Sequence, residues 1–153
     1  MLQMQESTFQ SVVQWCAHGD ALANMGLHRN ARSAYEQAWS MLPMPKRNHE
    51  QAPWIAMAMG EASFRSGDFD VARNRFSLAL ICIGTVDEPR TLVRLGQCAL
   101  ELGEEDVAAD LLLRAFQLGG DPLFLKEDAK YLRFLERRHR ALKFRKVAWK
   151  LAS

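Results

Sequence analysis

The sequence predicts an all-α fold: three helical hairpins stacked in series and closed by a C-terminal helix. Three observations carry this. Small residues recur in fixed columns, turn signals separate segments of helical length, and the charge balance changes sign near residue 125. Glycines stand at 19, 60 and 96, spaced 41 and 36 residues apart. Gly26, Gly67 and Gly103 keep the same spacing, as do Ala31, Ala72 and Ala108, and Ala38, Ala79 and Ala115. A larger residue recurs in phase with them at Tyr35, Phe76 and Leu112. Columns held in register this way mark an internal repeat.

Each column has a physical role in a helical hairpin. The first small residue belongs where helix A and helix B cross closely, since glycine permits that approach. The second glycine ends helix A, because it adopts the left-handed conformation without steric cost. In "SGDFD" an aspartate follows, placed to cap helix B. The two alanines lie on one face of helix B, and the larger residue between them plugs the gap. Neither helix buries its apolar stripe alone, so successive units stack.

In chain order, helices are expected at about 6–25, 29–42, 52–66, 69–82, 89–102, 105–118 and 126–150. The repeats run over about 11–43, 52–82 and 89–119, within a single domain spanning 1–153. The insert "MLPMPKRNHEQAP" separates the first two units as a loop. A shorter insert lies near "GTVDEP". The last helix follows "GGDPLF", and its first half caps the open end of the stack.

Composition bounds the function. With 153 residues, 48% hydrophobic and 25% charged, the chain supports a buried core without metal or disulfide. Cys16, Cys82 and Cys98 are widely spaced in apolar surroundings and suit a reducing cytoplasm. The N-terminus has no signal-peptide pattern, and no apolar run reaches membrane-spanning length. Residues 1–125 hold 10 Lys+Arg against 15 Asp+Glu, whereas 126–153 hold 10 against 3. An acidic body with a basic tail follows.

No phosphate loop, zinc-spaced Cys/His set or nucleophile elbow is present. His18, His28, His49 and His139 show no mutual metal spacing and read as structural or surface residues. The acidic pairs Glu104–Glu105 and Asp68/Asp70 lie at helix B starts, where they complement the macrodipole. No catalytic, metal or cofactor site is expected, and the chain does not read as an enzyme. The tail carries Arg133, Arg137, Arg138, Arg140, Lys143, Arg145, Lys146 and Lys150 without any reader motif. A solvated face or an acidic partner accounts for them better than nucleic acid or a membrane surface does.

The stretches "MGEASFRSGDFDVARNRFSLAL" and "LGQCALELGEEDVAADLLLRAF", with a blurred copy at His18–Trp39, resemble the tetratricopeptide repeat, a unit of 34 residues. The resemblance implies a right-handed superhelical stack of three hairpins plus a C-terminal capping helix. It also implies a concave groove, lined by the A helices, that binds a protein partner. Mapped here, the groove receives Cys16, Asp20, Ala23 and Asn24 from the first unit. Trp54, Met57, Glu61, Phe64 and Arg65 come from the second, and Arg90, Arg94, Gln97 and Glu101 from the third. Rows that hold lysines and asparagines in carboxylate-clamping relatives hold Trp54, Met57, Val93 and Gln97 here, which argues against that clamp. Trp54 reads either as an aromatic anchor or as packing for the preceding helix. Glu61 and Arg65 form an i, i+4 pair.

More narrowly, "RLGQCALELGEEDVAADLLLRAFQLGG" followed by "EDAKYLRFL" is similar to small bacterial tetratricopeptide proteins encoded beside polymorphic or secreted toxins. That similarity implies an immunity-type protein that binds and neutralises a toxin domain. The alternative is a secretion chaperone or assembly scaffold holding an extended client segment. An adaptor working through the basic tail ranks behind both.

Overall fold

Where helix A meets helix B, the repeat columns dictate the packing. The computed structural model describes residues 4–139, and its fold is all-α, with no strand among those residues. The chain parts after Val86 into two compact units. The first holds α1 (Glu6–Asn24), α2 (His28–Met41), α3 (Ala52–Arg65) and α4 (Phe69–Ile83). The second holds α5 (Pro89–Glu101), α6 (Glu105–Gly119) and α7 (Ala129–Arg138).

In the α3–α4 hairpin a Cβ built on Gly60 would lie 2.6 Å from the ring of Phe76. No real side chain tolerates that contact, so glycine is what lets the two helices close. Gly19 against Tyr35 and Gly96 against Leu112 repeat the arrangement, at 2.5 and 2.6 Å. The large residue of helix B thus plugs the glycine notch of helix A, and the flanking alanines are fully buried beside it. At the turn, Gly67 has φ 79°, and the amide of Asp68 donates to the carbonyl of Ser63 at 2.9 Å. This closes the end of α3 in the left-handed geometry expected of a C-terminal glycine.

The core of the first unit gathers Val12, Ala31, Tyr35, Ala38, Ile55, Ala56, Met59 and Ala79. In the second, Leu92, Ala108, Leu112, Phe116, Phe124, Phe134 and Leu135 pack together. Stability in each follows from removing this apolar area from water, roughly 25 cal/mol per Å².

Two local expectations need correction, and a third gains detail. Asp68 sits at the start of α4, yet its side chain does not cap that helix. Its carboxylate instead accepts from Arg32 at 2.9 Å, with Arg29 at 3.6 Å. A charged donor outbids a neutral amide for the same oxygen. The long insert is a loop, but a tethered one, with a 3-10 turn over Lys46–Asn48. Lys46 Nζ donates to the carbonyls of Trp39, Ser40 and Leu42 at 3.0, 3.0 and 2.8 Å, satisfying the end of α2. His49, buried, bonds the carbonyl of Pro43 at 2.8 Å. Finally, α7 begins at Ala129 rather than near 126. The "GGDPLF" segment forms a 3-10 turn over Asp121–Phe124, and Asp128 caps the helix by accepting from Lys130 N–H at 2.9 Å. The rest of the expected C-terminal helix, with Arg140, Leu142, Lys143, Phe144, Arg145, Lys146, Val147, Trp149 and Lys150, lies outside the described residues.

Candidate functional site: an apolar groove on the first unit

Helix α3 starts without a side-chain cap but with a proline in its first turn, which suits a position where no N–H bond is needed. Trp54 follows directly, 49% exposed. Its ring meets the edge of Tyr35 from α2 at 5.9 Å between centroids, nearly perpendicular at 83°. Tyr35 cannot swing away, because its ring fills the Gly19 notch and its hydroxyl donates to Asp20 Oδ1 at 2.7 Å. Burial and this bond to Asp20 push the Tyr35 phenol far above its usual range, so it remains a neutral donor. Trp54 therefore leans on a fixed support.

Around this pair opens a groove of about 490 Å³. Ala23 and Asn24 of α1, His28 and Tyr35 of α2, and Trp54, Met57, Ala58, Glu61, Ala62 and Arg65 of α3 line it. The floor is apolar, and the charged groups sit toward the end of α3. Glu61 and Arg65 face one another at 4.0 Å, both substantially exposed. A contact of that kind contributes little to stability.

Of the residues assigned to a groove from sequence, Asn24, Trp54, Met57, Glu61 and Arg65 come together here, and Ala23 joins them. Asp20 is not on the lining; it is exposed and accepts from the Tyr35 hydroxyl. Phe64 turns toward its own hairpin, its ring against Phe69 at 5.4 Å. Cys16 is half-buried, and burial with the neighbouring Asp20 charge pushes its thiol up to about 11, which leaves it a poor nucleophile.

The third-repeat residues fare differently. Arg90 is exposed at the start of α5, where its backbone N–H faces the Glu88 cap at 3.4 Å. Arg94 is 8% exposed and Gln97 fully buried. Arg94 donates to Glu127 Oε2 at 2.6 Å and to Gln97 Oε1 at 2.8 Å, while Gln97 donates to the same Glu127 oxygen at 2.8 Å. Glu101 accepts from the Tyr131 hydroxyl at 2.7 Å and pairs with Lys130 at 2.5 Å. Burial alone would raise the Glu101 carboxyl; the bonds from Lys130 and Tyr131 outweigh it and hold the group below its usual value. Arg94, Gln97 and Glu101 thus fasten the C-terminal segment to α5 and are not open to a ligand, whereas the Arg90 side chain stays exposed.

Sequence reasoning missed His28 and Tyr35 as lining residues. Tyr35 was read as a core plug, and it is one, but its ring also walls the groove. His28 opens α2 one residue before the expected start, directly after the Gly26 turn. Among the described residues no cluster of three or more His, Cys, Asp or Glu side chains is placed to hold a metal ion. No described helix is long and apolar enough to cross a membrane.

Comparison with known proteins places this geometry. No family model matches the sequence, and no curated protein does. Solved structures do match. One is the type III secretion chaperone SycD of Yersinia enterocolitica in complex with a peptide of the translocator YopD. It shares 19% identity over 90% of this chain and 95% of its own, with a TM-score of 0.64. Another is the first TPR of Spaghetti (RPAP3) bound to the HSP90 peptide SRMEEVD, at 19% identity over 94% and 98%, TM-score 0.59. A T3SS complex from Aeromonas hydrophila matches at 17% over 92% and 84%, TM-score 0.60. At such identities the likeness is one of architecture, and the chain has a tetratricopeptide-type fold.

Proposed function

We propose that this chain is a non-enzymatic protein-binding module whose first-unit groove holds an extended segment of a partner, as a secretion chaperone or assembly scaffold does. One observation carries this reading: a half-exposed tryptophan, braced by Tyr35, at the mouth of an apolar groove of about 490 Å³. A space of that size takes a few side chains, not a domain. An exposed aromatic on a rigid support loses little conformational freedom on binding, which is what a hot spot requires. The structural neighbours solved with bound peptides support it. The free thiols at Cys16, Cys82 and Cys98 suit work in a reducing compartment such as the cytoplasm.

A second reading, neutralisation of a toxin domain, is favoured by the acidic balance of residues 1–125 and by the third repeat's similarity to toxin-linked proteins. Such a charge would speed encounter with a basic domain. Competition separates the two: a chaperone's client is displaced by a short peptide of its own sequence, whereas a folded toxin domain is not. In either case Trp54→Ala is expected to weaken binding by about 2 kcal/mol or more, measured by calorimetry. Unchanged affinity in a variant with the wild-type circular dichroism and melting curve would remove the groove assignment.

A further inference from the structure

Beside the apolar groove lies a second, smaller hollow of about 290 Å³. The two share His28 and Arg65 on their linings, so the apolar floor continues into a polar end. Arg29 and Asn30 complete that end. Arg29 is 72% exposed at its side chain, and Arg65 is 59% exposed. Of the described residues lining the two hollows, Glu61 carries the one carboxylate, set against two guanidinium groups. The other nearby acids are already engaged: Asp20 by Tyr35, and Asp68 by Arg32 at 2.9 Å.

From this juxtaposition we infer that the bound segment is an acidic one: an apolar side chain seated against Trp54 and Met57, with an Asp or Glu beside it reaching Arg65 and Arg29. The inference rests on the groove holding an extended segment and adds its chemistry. An incoming carboxylate meets two planar guanidinium forks able to take it bidentately. To do so Arg65 gives up a 4.0 Å contact with Glu61, and Arg29 a 3.6 Å contact with Asp68, which keeps Arg32 at 2.9 Å. The unit that carries the groove is charge-balanced, with 7 Lys+Arg and 7 Asp+Glu over residues 1–86, so the two exposed guanidinium groups give this end a local positive sign that selects by charge. A basic segment would instead bring like charge up to Arg29 and Arg65, whose contacts with Asp68 and Glu61 are long, at 3.6 and 4.0 Å. Because both arginines face solvent, the preference is salt-sensitive.

The test is selection from a random peptide library on the immobilised full chain at low ionic strength, followed by fluorescence polarisation of the enriched peptides. The expected result is a large apolar residue flanked by Asp or Glu, with acids favoured over Lys or Arg by about fivefold or more. Replacing the flanking acids by serine should weaken binding to wild type, and Arg65→Gln should erase that difference while leaving the apolar preference. Peptides enriched without charge preference, or with basic flanks, would overturn the acidic assignment and leave the groove reading standing. Enrichment no greater on wild type than on Trp54→Ala would overturn both.

Discussion

Helices α3 and α5 hold matching places in the repeat, with Gly60 and Gly96 in register, yet their equivalent faces meet different fates. Offset by 36 residues, Trp54 corresponds to Arg90, Ala58 to Arg94, Glu61 to Gln97 and Arg65 to Glu101. On α3 the column ends in an exposed arginine beside an apolar groove. On α5 Arg90 stays exposed, but Arg94, Gln97 and Glu101 are consumed by Glu127, Lys130 and Tyr131. The lesson is that a helix A position is open to a ligand only when the chain's own downstream segment does not claim it. In the second unit, α7 and the turn before it supply that claim.

The largest effect should come from breaking the closure on α5. Arg94→Ala leaves the Glu127 carboxylate without its buried cation and Gln97 without a donor. A loss of about 3 kcal/mol in urea denaturation is expected. A loss under about 1 kcal/mol would mean that the ion pair is not what closes this face.

The comparison sharpens at the glycines, which should behave alike in both units. Gly60→Ala drives a methyl into the Phe76 ring, which is fully buried and cannot move aside cheaply. Overpacking of about 3 kcal/mol, less the roughly 1 kcal/mol gained in helix propensity, leaves a net cost near 2 kcal/mol. Thermal unfolding of Gly60→Ala and Gly96→Ala side by side checks whether the notch is equally unforgiving in each.

Acid should distinguish the faces again, more weakly. The folded-state pKa of Glu101 is depressed by Lys130 and Tyr131, so its contribution is complete above the ordinary carboxylate value of 4.5. It fades as the pH falls from there through the lowered folded value, where the protonated carboxyl no longer pairs with Lys130. Protection factors of the α7 amides, in which the intrinsic slowing of exchange by acid is divided out, should fall over that range in the wild type and not in Glu101→Gln. Equal pH dependence in both would contradict the assignment.

The smallest effect belongs to α3. Arg65→Ala should change stability by no more than about 0.5 kcal/mol, because its pairing with Glu61 is long and solvated. A larger loss in denaturation would mean that the arginine holds the fold together and is not spare for a partner.

Much of the architecture could be read before any coordinates. Gly19, Gly60 and Gly96 had to be crossings and Gly26, Gly67 and Gly103 turns, because no other residue type suits both steric demands at those spacings. The helix boundaries followed within a residue or two, except at α7, where the Asp128 cap decided the start. The groove was half legible. Trp54, Met57, Glu61 and Arg65 fell on the expected face, while Phe64 turned to Phe69 and Arg94 and Gln97 went inside. Nothing in a helical periodicity tells whether a polar residue such as Gln97 meets water or a carboxylate 30 residues further on. Asp68 shows the same limit, its carboxylate taken by an arginine 36 residues earlier.

By itself the sequence determined the hairpins: helix ends, glycine notches and alanine faces are set by sterics between residues close along the chain. Only the tertiary structure decided which helix face stays open. That choice depends on distant polar partners, Arg94 with Glu127 and Tyr35 with Asp20, whose pairing is a matter of three-dimensional distance and desolvation.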